Sequence, residues 1–250
     1  MISDSSHTTR HNQMLIEESL LPQGSAEWLS WRKRGIGGSE IYSLACRAKH
    51  WLRPLAESLV DKVSPPQENI PGWVTTPRKI WKDKHGLLPP LDPRNHHLQR
   101  GHRVEPIVRN LAEETWNCEL KQLCGYAECA PYSRVSLDGY SPEKGILIEV
   151  KAPYRFWEHC PDYPVWQSAY QAAVLRKIGE YPVKVSILEG NEIHRHLIEV
   201  KEWPVIGTNG AWSIDDFQNL GNNLMKMAQI FWESYMDTDT IPNPIPRERL

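Results

Sequence analysis

Residues 136–153, SLDGYSPEKGILIEVKAP, decide the fold. Ser141-Pro142-Glu143-Lys144 is a turn signal, and the flanking stretches 132–138 and 145–151 read as a pair of strands. Side chains alternate along a strand, so Glu149 and Lys151 share one face. The hairpin brings Asp138, at the end of the first strand, to the same place. Two carboxylates and one lysine then converge. Carboxylates are hard oxygen ligands of the kind Mg²⁺ prefers, and Mg²⁺ keeps several waters and bridges to phosphate oxygens. Such an ion acidifies a bound water and stabilises charge developing on phosphorus. A lysine beside it positions that water or stabilises the charged transition state. These are the parts that phosphodiester hydrolysis needs. A turn aspartate next to a solvated Glu–Lys strand would look the same locally. Against that reading, Glu149 follows an apolar strand, Gly-Ile-Leu-Ile, and Gly139 lets backbone approach Asp138 closely.

Outward from this hairpin, the chain alternates helix and strand signals. Residues 1–24 read as a polar tail and a short helix over 14–24 that stops at Pro22-Gln23-Gly24. Ser25 caps a helix through Trp28 and Arg32, Gly35-Ile36-Gly37-Gly38 breaks it, and Ser39 caps the next helix from Glu40 to about Ala48. A helix over 51–63 is interrupted at Pro54, and another starts at Thr76-Pro77 with proline in its first turn. The clearest amphipathic helix covers 101–116, with Val104, Ile107, Val108, Leu111, Ala112 and Thr115 on one face and Pro106 near its start. After the central hairpin come a helix over 164–177 and a second hairpin, 183–188 with 193–201, turning at Gly190-Asn191. A last helix is capped by Ser213 and carries Phe217, Leu220, Leu224, Met227, Phe231 and Tyr235 on one face. This order implies an α/β protein with one mixed sheet and helices on both faces. The expected layout is a single domain over 25–236, with an insert at about 47–72, and an extended tail over 237–250.

Composition narrows the classes. The 250 residues are 40% hydrophobic and 24% charged, ordinary for a globular protein and too apolar for a disordered one. No apolar run approaches the roughly 20 residues that span a bilayer, and the polar start lacks a signal core, so a cytoplasmic protein without a membrane partner is expected. The five cysteines, an odd count without a secretory signal, are expected to be reduced. A net charge of −2 excludes a globally basic nucleic-acid binder but allows a local basic groove. Basic residues do cluster at 32–34, 78–84 and 100–109.

Five blocks in order resemble the lambda-exonuclease-like (YqaJ-type) branch of the PD-(D/E)xK nucleases. They are WRKRGIGGSEI at 31–41, TPRKIWKDKHG at 76–86, RGHRVEP at 100–106, SLDGY with IEVKAP at 136–140 and 148–153, and WQSAYQAAVL at 166–175. The resemblance implies a restriction-endonuclease-like core. It implies that Asp138 and Glu149, with the Val150 carbonyl and Glu105, hold one or two Mg²⁺ ions, for which Mn²⁺ substitutes. Lys151 takes the place of the catalytic lysine, and Gln171 that of the glutamine behind the site, with Gln167 one turn earlier as its competitor. Arg32 and Ser39 match a 5′-phosphate-binding pair. The residues support this independently, because a Gly-rich turn into a helix N-terminus attracts phosphate and arginine binds it bidentately. Arg34 competes with Arg32 for that role.

The activity so implied is 5′-to-3′ digestion of linear double-stranded DNA from its ends. It yields mononucleotides and a 3′ single strand. A ring-shaped homotrimer and a single-strand annealing protein, as in phage-type recombination, are the implied partners. An endonuclease of the same fold would share the hydrolytic residues but has no need of a terminal-phosphate pocket. A catalytically silent DNA-binding protein would have no need of Asp138, Glu149, Lys151 and Glu105 together. Cys118, Cys124 and Cys129 fit no zinc-ribbon spacing. His194-Arg195-His196 reads as a solvated strand face, and His96-His97 as a polar loop.

Overall fold

The computed structural model describes residues 14–17, 20–66, 70–89, 92, 94–194 and 197–245. Its strands are β1 Met14–Glu17, β2 Lys121–Ala127, β3 Ala130–Ser141, β4 Ile146–Lys151, β5 Lys184–His194 and β6 Leu197–Ile206. They form one six-stranded sheet in that order. All neighbours are antiparallel except β4 and β5, which run parallel. A parallel pair needs a crossover, and helix α7, Asp162–Lys177, makes it. The other α-helices are α1 Ala26–Arg32, α2 Gly38–Cys46, α3 Ala48–Trp51, α4 Arg53–Val63, α5 Pro77–Lys84, α6 His96–Trp116 and α8 Ile214–Phe231, and a π-helical turn, Trp232–Met236, extends α8 and carries Tyr235. The molecule is the mixed α/β arrangement that the element order implies. No helix among the described residues is long and apolar enough to cross a membrane.

Alternation along β4 divides the core in two. Ile146, Ile148 and Val150 pack with Val104, Val108 and Ala112 of α6 on one face. Leu147 packs on the other, in a larger cluster with residues of α2, α7 and α8. Glu149 and Lys151 have the parity of Leu147, which aims them at α7.

Several elements differ from the sequence expectation. Residues 14–17 form a strand, not a helix, because they pair with β2 from Met14↔Tyr126 to Glu17↔Leu123. Four apolar-rich residues carry too little periodicity to separate the two. Strand β2 itself was not anticipated, since Gly125 and Ala127 weaken its strand signal. Helix α2 is capped at Gly37, so Ser39 lies inside its first turn. The 48–63 helical stretch is broken at Ala56, with φ −155°, and Pro54 sits in the first turn of α4. Helix α6 begins at His96, because the Asn95 side chain accepts from the His97 and Leu98 N–H groups, and Pro106 is therefore internal. Of its apolar stripe, Val104, Val108 and Ala112 are buried, whereas Ile107 and Leu111 remain exposed.

Gly190-Asn191 is not a turn. It lies within β5, pairing with Val200 and Glu199 of β6. Glycine is required there for space: a Cβ on Gly190 would stand 2.5 Å from Val108 Cγ2 and 2.6 Å from Val104 Cγ1. Within the 47–66 stretch, Trp51, Leu52, Leu59, Val60 and Val63 are buried in the main core. Trp51 Nε1 donates to the Leu44 carbonyl at 2.9 Å, and its ring meets Phe231 edge-on. Residues 1–13, 18–19, 67–69, 90–91, 93, 195–196 and 246–250 lie outside the described residues, so the N-terminal tail, part of the expected 14–24 helix, the middle of the 64–71 loop, Arg195-His196 and the end of the C-terminal tail do too.

Candidate active site

The register of the sheet makes the site. Between Leu123↔Leu137 and Lys121↔Tyr140, β3 uses three steps against two on β2. The extra residue is a bulge at Asp138-Gly139, a device that re-aims a side chain. Strand β3 does not end at Asp138. It runs on to Ser141 and pairs with β4 only from Gly139↔Ile148 to Ser141↔Ile146. Past Ile148 the two strands separate, and the Asp138 carboxylate takes the place of the missing ladder partner. Its Oδ2 accepts from the Val150 N–H at 2.8 Å. The N–H and C=O of one strand residue leave on the same side, so the Val150 carbonyl also faces this gap. Gly139 is needed because a Cβ there would meet Ile148 Cγ1 at 2.7 Å.

Glu149 is buried, and both its oxygens are engaged. Oε2 accepts from Gln171 Nε2 at 2.9 Å, and Oε1 contacts the Lys151 ammonium. Lys151 also donates to Gln167 Oε1 at 3.2 Å and lies 5.7 Å from the centre of the Tyr163 ring. Gln171 is fully buried and also donates to the Ser136 carbonyl at 3.2 Å. Glu105, on α6, accepts from Gln122 at 2.7 Å and from Arg109 at 3.4 Å. Arg109 bridges to the bulge, donating to the Asp138 carbonyl at 3.0 Å.

Charge is unbalanced here. Burial, and then the neighbouring Glu149 and Glu105 carboxylates, push the Asp138 pKa well above 3.8 despite Lys151. Burial opposes the charge on Lys151, but Glu149 and Asp138 outweigh it and hold the ammonium above its usual range. Three crowded carboxylates, Asp138, Glu149 and Glu105, against two cations, Lys151 and Arg109, leave an excess of hard oxygen donors that fits a divalent cation. Among the described residues no three His, Cys, Asp or Glu side chains form a ready metal cage. The set that fits is the Asp138 and Glu149 carboxylates with the Val150 carbonyl, because Mg²⁺ retains water in its remaining positions.

Next to this set lies the junction of α1 and α2. Ile36 docks on β3, its N–H bonding to the Tyr132 carbonyl and its carbonyl accepting from Arg134 N–H. Gly35 permits the approach, since a Cβ would meet the Tyr132 oxygen at 2.6 Å. Beyond it, Arg32 Nη2 donates to Ser39 Oγ at 2.8 Å. A buried pair stands behind them. Lys84 Nζ lies 2.7 Å from Glu40 Oε2 and donates to the Arg32 carbonyl at 3.1 Å. Glu40 also accepts from Gly37 N–H at 2.8 Å. The two halves meet at Gln167, whose Cγ is 3.0 Å from where a Gly38 Cβ would be.

Asp138, Glu149, Val150, Lys151, Glu105 and Gln171 are thus brought together, and Gln167 joins them. Arg32 pairs with Ser39. Arg34 is exposed and lies near Arg134, whose pKa falls to about 10, first from burial and then with help from Arg34. Two members of the basic clusters are turned inward. Lys84 is buried on Glu40, and Arg100 is buried on the Ala152 carbonyl and Asn191. Sequence reading missed Tyr163, Gln122, Arg109, Glu40 and Lys84 as parts of the site. Arg109 had a signal in its i,i+4 spacing from Glu105. Gln122 had none, because its strand was unread.

Residues 27–177 match the YqaJ-like viral recombinase domain, more than half of the chain. No curated protein matches the sequence. Among solved structures, LHK-Exo in complex with dAMP is 11% identical over 86% of this chain and 98% of its own, with a TM-score of 0.49. A phage-related exonuclease from Haemophilus somnus 129PT is 12% identical over 82% of this chain and 96% of its own, with a TM-score of 0.48.

Proposed function

Because the chain belongs to the YqaJ-like viral recombinase domain family, we propose that it is a Mg²⁺-dependent 5′-to-3′ exonuclease of linear double-stranded DNA. It releases mononucleotides and leaves a 3′ single strand for annealing-type recombination. One observation carries this reading. Gln167 touches both Lys151 and the Gly38 turn, so the Arg32–Ser39 pair adjoins the hydrolytic residues. That is the layout for cutting next to a terminal phosphate, which an enzyme cutting inside a duplex does not need.

Asp138, Glu149 and the Val150 carbonyl would hold Mg²⁺, or Mn²⁺ in its place, with Glu105 completing the set. The bound ion supplies Lewis acidity and a water acidic enough to act as nucleophile near neutral pH. The chain's own residues do the rest. Lys151 offers a positive charge to the scissile phosphate, where charge develops. Gln171 fixes Glu149, and Arg109 and Gln122 fix Glu105. Arg32 and Ser39 grip the 5′-phosphate as charged and neutral donors. A ring trimer closed by heterologous contacts would explain continuous digestion, since the duplex leaves only by dissociating. A single-strand annealing protein is the partner that would receive the product.

The test is Arg32→Ala on two linear duplexes, one 5′-phosphorylated and one 5′-hydroxyl, with Mg²⁺ and an EDTA control. The variant should slow digestion of the phosphorylated end by at least about tenfold more than the hydroxyl end, the loss of one charge-assisted phosphate contact. Equal slowing would remove the end-binding role.

A further inference from the structure

We infer that the Trp73 indole is a stacking platform for the base of the terminal nucleotide, an inference that rests on the exonuclease reading above. Trp73 is 58% exposed, an unusual state for the largest side chain, yet it is held in place. Its ring stacks on Tyr42, with centroids 5.9 Å apart and planes at 25°. It also meets the edge of Tyr163 at 5.2 Å. These two partners stand at the two halves of the site. Tyr42 is on α2, one turn after Ser39. Tyr163 opens α7, one turn before Gln167, and its ring lies 5.7 Å from Lys151 Nζ. Trp157 supports Tyr163 from a further side, edge-on at 5.9 Å.

The exposed indole thus rests on one ring from each half of the site, and on this reading it faces the space between the phosphate-binding pair and the lysine. In an end-cutting enzyme the terminal nucleoside occupies that space, with one phosphate at each side. A flat apolar ring fixed there offers its face to a base at little ordering cost. Stacking tolerates any base, because each has a π-face. This suits an enzyme that must digest every sequence. The chemical class of ligand is thus a nucleobase, bound without hydrogen-bond readout.

The experiment compares wild type, Trp73→Ala and Trp73→Phe on two 5′-phosphorylated duplexes with Mg²⁺. One ends in an ordinary nucleotide, the other in a tetrahydrofuran abasic residue. Release of the first nucleotide is timed, and metal-free binding of the same ends is read by anisotropy. The ratio of normal to abasic rate should be about tenfold larger in wild type than in Trp73→Ala, as expected for one lost base stack. Trp73→Phe should restore most of it. A Trp73→Ala loss that is equal on both ends, or no loss, overturns the platform. So does a change of oligomer mass in Trp73→Ala with the base ratio intact, which would make Trp73 a subunit contact. Should wild type fail to digest the normal duplex, the exonuclease reading falls. The binding ratios then judge the platform alone.

Discussion

Lys84 has a side chain with no exposure, yet it comes from a run of basic residues that reads as a solvated face. Nothing local marks it, because its partner Glu40 is distant in sequence and comes near only when α5 packs beside α2. Breaking such a buried pair from one side leaves an unmatched charge and costs about 3–5 kcal/mol. Glu40→Gln should therefore lower unfolding stability by that order in urea titration, and pairing it with Lys84→Met should recover part of the loss. Additive losses would deny the coupling. The acid side offers a second check. Burial alone would raise the Glu40 pKa, but Lys84 and Arg32 bring it below 4.5. A depressed carboxylate stabilises the fold above its unfolded pKa and loses that contribution as pH falls through the folded value. Glu40→Gln should thus show a shallower stability decline below about pH 4.5 than wild type. At the candidate site, Glu149 and Lys151 were legible because strand alternation puts them on one face, whereas Asp138 reaches them through a bulge that only the pairing of β3 with β2 creates. Lys151→Ala should keep DNA binding while cleavage falls by about 10²–10³-fold, the scale of removing one preorganised group. Retained cleavage would take the lysine out of the mechanism.

At the scale of elements, helices opened by a side-chain cap were legible, α1, α5 and α8 among them, and so was α7, which lacks such a cap and is buried almost all round. Elements whose identity comes from a partner were not. Strand β1 is a strand because β2 offers it an edge, and the bulge at Asp138-Gly139 exists only in the register of β3 against β2. Gly190 reads as a turn residue because glycine permits turns, whereas its role is to admit α6. Gly190→Ala should destabilise by about 1–3 kcal/mol through overpacking on Val104 and Val108. Gly221 makes the same argument for α8 on α7, where a Cβ would meet the Ala169 carbonyl at 2.4 Å. Chemical denaturation of both variants checks this; unchanged midpoints would mean the helices shift freely.

For the whole molecule, sequence blocks far apart along the chain meet around the gap between β3 and β4, where the 31–41 block joins through Gln167 and the 76–86 block stands behind it through Lys84. Their order was legible, but their meeting point depends on the parallel β4–β5 pair and the α7 crossover. Part of the 47–72 stretch, expected as an insert, packs into the core beneath α8. What the assembled site acts on is decided by three DNAs digested with Mg²⁺ beside an EDTA control: a 5′-phosphorylated linear duplex, its 5′-hydroxyl twin and a covalently closed circle. Metal-dependent loss of the phosphorylated duplex, slower loss of its twin and an intact circle are the expected result. Nicking or linearisation of the circle would contradict end-dependent digestion and leave the Arg32–Ser39 pair without the terminal phosphate assigned to it.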